Sequence, residues 1–140
     1  MVDQMSQEAY KKWLPGGWKR FIVPIDEFIS SYYNMSEKDK KKKYRQLVKD
    51  LSVDVKVIGD SSPNPLEGYK GLAKKLDKSE FDEQTAIEDL GMALLFVGYQ
   101  IVDKSEINPL YFDAKREGNI EGLRTIIDYV QKSLDTKETS

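Results

Sequence analysis

Residues 79–102 read Ser79-Glu-Phe-Asp-Glu-Gln-Thr-Ala-Ile-Glu-Asp-Leu-Gly-Met-Ala-Leu-Leu-Phe-Val-Gly-Tyr-Gln-Ile-Val102. Ile87, Leu90, Leu94, Val97 and Ile101 recur at steps of three and four, the period of one helix face. From Met92 onward the segment is apolar on most sides, as a helix enclosed by other helices must be. Gly91 and Gly98 stand one heptad apart, where a missing side chain lets another backbone approach closely. Ser79 is the expected N-cap. The stretch predicts a long central helix over about 80–102. Its aromatic and β-branched content makes a strand over 94–102 the competing reading. The apolar run from Met92 to Val102 has eleven residues, against the roughly 20 that a membrane-spanning helix needs.

Helical periodicity continues on both sides. A short helix is expected over 6–14, capped by Ser6 and ended by the turn Pro15-Gly16-Gly17. Trp18, Phe21, Ile22, Ile25, Phe28, Ile29 and Tyr32 share a face, and Pro24 within that stripe is expected to open a new helix at its first position. Ser36-Glu-Lys-Asp39 resembles a capping box and opens a helix through about Leu51, with Tyr44, Leu47, Val48 and Leu51 inward. Residues 53–57 alternate like a strand but have no partner run, so a helix tail or extended connector is expected there. A loop follows over 59–63. Asn64-Pro65 and Asn108-Pro109 each look like a cap followed by proline at the first helical position. The first would start a helix reaching Leu76, the second a short helix ended by Gly118. Asn119 would cap a last helix with Ile120, Leu123, Ile126, Ile127, Val130 and Leu134 inward. The expected architecture is all-α: one domain over 1–140, an antiparallel bundle of five to seven helices, with a frayed tail at 135–140.

Composition narrows the function. The 140 residues are 39% hydrophobic, 33% charged and 11% aromatic, and include neither Cys nor His. That excludes disulfides, thiol nucleophiles, Cys/His zinc sites and imidazole acid–base catalysis. The N-terminal residues lack the apolar core of a signal peptide, so a cytoplasmic location is expected. Net charge is −2 but unevenly spread. Residues 1–50 carry eleven Lys/Arg and seven Asp/Glu, while residues 78–140 carry seven and thirteen. Such asymmetry is compatible with a charged partner, although solvated helix faces that simply differ in composition are the simpler reading.

Four groups of residues could carry chemistry or binding. The lysine cluster is the most visible. Lys38, Lys41, Lys42, Arg45 and Lys49 can share a side of one helix, where they would neutralise phosphates. A solvated face over a buried Tyr44/Leu47/Val48/Leu51 stripe is the simpler reading of the same residues. The carboxylates Glu80, Asp82, Glu83, Glu88 and Asp89 could hold Mg²⁺ or Mn²⁺. Glu88-Asp-Leu-Gly-Met-Ala-Leu-Leu95 resembles one helix of the all-α nucleotide pyrophosphatases, in which a Glu-Glu pair is followed one turn later by a magnesium-binding Asp. Here Met92 stands at that position and cannot ligate a hard cation, so the resemblance covers eight residues and no metal or cofactor is expected. The tyrosines fit half-buried rims with wet hydroxyls better than catalysis. Finally, Trp13, Leu14, Trp18 and Phe21 crowd around Pro15-Gly-Gly; pinning a short N-terminal helix onto the core is the simpler reading, and Trp13, Trp18 and Phe21 could instead anchor a protein partner, since Trp is enriched at interface hot spots. Gly91 and Gly98 also admit a homodimer contact.

No catalytic residue is assigned and no enzyme is expected. The first functional reading is a small interaction module: a regulator, inhibitor, immunity or assembly factor that covers a surface of a protein partner. The alternative is a nucleic-acid binder using the basic helix 38–49. No membrane partner is expected.

Overall fold

The structure, a computed structural model, describes residues 18–61, 69–99 and 102–139. These form six α-helices and two single turns of 3₁₀ helix, and no strand occurs among the described residues. The helices are α1 (Trp18–Ser31), α2 (Glu37–Ser61), α3 (Tyr69–Asp77), α4 (Glu83–Gly98), α5 (Lys104–Glu117) and α6 (Leu123–Thr139). The expected all-α bundle is what the chain forms. The expected helix at 6–14, the Pro15-Gly16-Gly17 turn and the Asn64-Pro65 helix start lie outside the described residues.

Residues 83–98 are the most enclosed part of the fold. Eleven of the sixteen residues of α4 are buried, and α4 packs against all five other helices. The strand alternative fails over 94–98, which is helical. The expected span of about 80–102 is shorter in the structure, Glu83–Gly98, and α2, with 25 residues, is the longest of the described helices. The glycines explain the packing. A Cβ on Gly91 would lie 2.5 Å from the Tyr111 ring, and one on Gly98 would collide with Ile107 Cδ1. Both faces are therefore filled by α5, which leaves no room there for a second copy of the chain.

Three helix starts differ from expectation. Ser79 does not cap α4; Asp82 does, accepting from Thr85 N–H at 3.3 Å. Pro24 does not begin a helix but lies inside α1. Ile22 and Ile25, at 2% and 0% exposure, flank it and are both held in the core. That burial keeps the helix continuous although Pro24 offers no N–H to the preceding turn. Pro109 likewise lies inside α5. The start moves back to Asp103, whose Oδ1 accepts from Ser105 N–H at 2.8 Å, and fully buried Ile107 falls within the first turn and a half. Gly118 ends α5 as expected, in the left-handed conformation at φ 65°. Asn119 caps the 3₁₀ turn Ile120–Gly122 rather than α6 itself.

The helix expected to stop near Leu51 continues to Ser61, so the alternating residues 53–57 are its tail. Val55 is fully buried and prolongs the inward stripe of Tyr44, Leu47, Val48 and Leu51 by one turn. All six helices contribute to one cluster of buried side chains. Phe28, Tyr32, Tyr44 and Phe81 form an aromatic corner within it, with ring centroids 5.5–6.5 Å apart. Arg124 fastens α6 to α1 through Asp26 at 3.1 Å and Ser30 at 2.7 Å. Among the described residues, no helix is long and apolar enough to cross a membrane.

Candidate functional site

Ser36 immediately precedes helix α2, and its Oγ accepts from Asp39 N–H at 3.2 Å. Its buried stripe fixes which side chains face outward. With 3.6 residues per turn, Lys38, Lys42, Lys49 and Lys56 fall within about 40° of one another on one flank. All four are exposed. Asp39 and Asp50 occupy the other flank. Lys41 is exposed one step round from the row, towards the core side. Lys40 is folded back onto the protein, 3.3 Å from Glu37 and 4.3 Å from the centre of the Tyr32 ring.

Arg45 leaves the predicted group. Its guanidinium donates to the carbonyls of Asp77 and Ser79, closing the C-terminal end of α3. Periodicity alone cannot reveal that role, because it depends on where α3 lies. Lys56 was missed for a local reason, the expected helix end at Leu51. Lys70 and Lys74 of α3 join the same side of the molecule, because α3 lies along α2 and Ser52 Oγ donates to Ala73 O at 2.6 Å.

The charge pattern distinguishes this side. Among the described residues, several cations elsewhere are engaged: Arg124 with Asp26 and Glu121, Arg116 with Asp113, and Lys104 and Lys115 over tyrosine rings. On α2 and α3, Lys38, Lys41, Lys42, Lys49, Lys56 and Lys74 have no acidic partner among the described residues. Residues 37–78 hold twelve Lys/Arg and seven Asp/Glu, while residues 79–140 hold six and thirteen. The molecule thus carries a basic side on α2–α3 and an acidic remainder.

The carboxylates weighed as possible metal ligands are dispersed. Asp82 is a cap, Glu83 Oε2 accepts from Ile120 N–H at 3.4 Å, and Glu80 is exposed. Among the described residues, no group of three or more metal-ligating side chains stands together. Asp89 is 2% exposed and belongs to an internal chain of hydrogen bonds. Ser79 Oγ donates to Asp89 Oδ2 at 2.8 Å. With its proton so used, Ser79 accepts from the Tyr44 hydroxyl at 2.6 Å. Asp89 Oδ1 has no hydrogen bond, but the half-exposed Lys75 ammonium stands 3.4 Å away. Burial pushes the Tyr44 phenol far above its ordinary range, the Ser79 hydrogen bond opposing and the Asp89 charge reinforcing that shift. The expectation of wet tyrosine hydroxyls fails here. Tyr44 and Ser79 bind the segment before α4 to α2 and offer no open reactive atom.

Of the proposed tryptophan anchor, Trp13 lies outside the described residues. Trp18 and Phe21 belong to the backbone of α1, and their side chains are likewise outside the description. The chain matches no protein-family model, no curated protein and no solved structure at a significant level.

Proposed function

We propose that this chain is a non-enzymatic interaction module that docks the basic flank of α2 against an acidic surface of a protein partner. The observation that carries the reading is the row Lys38, Lys42, Lys49 and Lys56, exposed and without acidic partners among the described residues. Unpaired charge of one sign accelerates encounter with an opposite surface and selects against wrong partners. The carboxylates and buried hydroxyls considered for catalysis have structural work: capping, and holding the segment around Ser79. In this role the protein acts as a regulator, inhibitor, immunity or assembly factor by covering what it binds.

The test is quantitative capture from a nuclease-treated extract with the intact chain and with Lys38→Glu/Lys42→Glu/Lys49→Glu. A protein retained by the first and lost by the second supports the reading, and identical retention contradicts it. The row itself favours a second reading, nucleic acid, because a line of lysines can follow a phosphate backbone. Binding of labelled single-stranded or duplex DNA at about 50 mM salt that weakens about tenfold or more at 200 mM would replace the protein partner with nucleic acid.

A further inference from the structure

Lys56 of α2 and Tyr69, Lys70, Lys74 and Asp77 of α3 line an open groove of about 440 Å³. That volume lies within the range of small-molecule sites, about 300–1,000 Å³. Three ammonium groups from two helices and one carboxylate, Asp77, line it, which leaves the lining net positive, and none of the three lysines is ion-paired among the described residues. The Lys70 ammonium stands 5.9 Å from the centre of the Tyr69 ring. Arg45, bonded to the Asp77 and Ser79 carbonyls, fastens the end of α3 to α2 and so fixes one wall of the groove.

Like charges gathered around a concave surface repel one another, and low-dielectric walls focus their field into the hollow. An anion of matching charge density relieves that repulsion. A single carboxylate brings one charge, whereas a linear polyphosphate brings several within a few ångströms. Lysine binds phosphate as a point charge and needs no planar fork geometry. We propose that the α2–α3 groove is a binding site for a compact polyphosphate, free or as the phosphate chain of a nucleoside triphosphate. Lys56 holds it from one side, Lys70 and Lys74 from the other, and Tyr69 forms the wall between. The site shares Lys56 with the α2 row but takes its other cations from α3, and it does not require the protein partner proposed above.

The test is calorimetric titration of the intact chain with sodium triphosphate, ATP and a twelve-residue oligo-dT at about 50 mM salt. Saturable binding of one triphosphate per chain is expected, with ATP equal or tighter. Lys56→Gln/Lys74→Gln should weaken it by about tenfold or more, that is by about 1.4 kcal/mol. Lys104→Gln/Lys115→Gln, which removes the same charge from α5, should leave it unchanged, and melting curves would confirm that both variants fold. Absence of saturable binding at millimolar triphosphate overturns the proposal. So does equal weakening by the two variants, which is diffuse attraction only. Tighter binding of the oligonucleotide than of triphosphate, unaffected by Lys56→Gln/Lys74→Gln, also overturns it and assigns the basic side to a nucleic-acid strand.

Discussion

Ser79 shows how far a residue's neighbours can change its meaning. In the sequence it stands where a helix cap belongs, and Asp89 stands among carboxylates that could hold a metal. In the fold the two are hydrogen-bonded partners, with Tyr44 completing the chain from α2. Nothing local in the sequence pairs residue 44 with residue 79, so this contact was not legible. The energetics follow from burial. Ser79→Ala leaves the Tyr44 hydroxyl without its acceptor and deprives Asp89 of a donor. The expected cost is about 2–4 kcal/mol, because breaking a buried polar pair exposes the desolvation penalty of what remains. Tyr44→Phe leaves the Ser79–Asp89 bond in place and should cost about 1 kcal/mol. Urea unfolding of the two variants measures the difference; equal costs would mean that Ser79 is not the hub.

At the level of elements, helix type and inward faces were legible because 3.6-residue periodicity survives in every described helix. Boundaries were less so. Pro24 and Pro109 suggested helix starts, and both lie inside helices whose buried residues flank them. The end expected at Leu51 was wrong because Val55 extends the buried stripe past an alternating segment. The glycines of α4 were legible as close-approach positions, although their partner, α5, was not. Their role differs from that of Gly71 in α3, where an added Cβ would meet nothing within 4 Å. Gly91→Ala forces its methyl against the Tyr111 ring and should destabilise by about 1–3 kcal/mol. Gly71→Ala should instead stabilise by about 0.5–1 kcal/mol, since glycine in a helix loses more backbone freedom on folding. Thermal unfolding of the pair tests this, and a loss of stability in Gly71→Ala would contradict it.

For the whole molecule, charge asymmetry was visible in the sequence but its placement was not. Only packing of α3 along α2 sets lysines from both on one side. Arg45, counted with that group, turned out to be holding α3 in place. Stability should also respond to alkaline pH. Burial, with Glu83 adding, pushes the Tyr32 phenol up to about 12, and burial with Glu88 does the same for Tyr111. Their folded pKa values exceed the unfolded value near 10, so the stabilisation they contribute is complete below about pH 10 and lost as pH rises through 12. Urea midpoints should fall across that window, and Tyr111→Phe should flatten the fall; an unchanged slope would contradict the assignment. The central claim is that the lysine row of α2 meets a protein partner. The most direct measurement places a photo-reactive amino acid in place of Lys42, and in a second variant in place of exposed Phe112 of α5, and irradiates each in cells. The account predicts a discrete protein adduct from position 42 and none from position 112. An adduct from 112 alone, or a nucleic-acid adduct from 42, would contradict it.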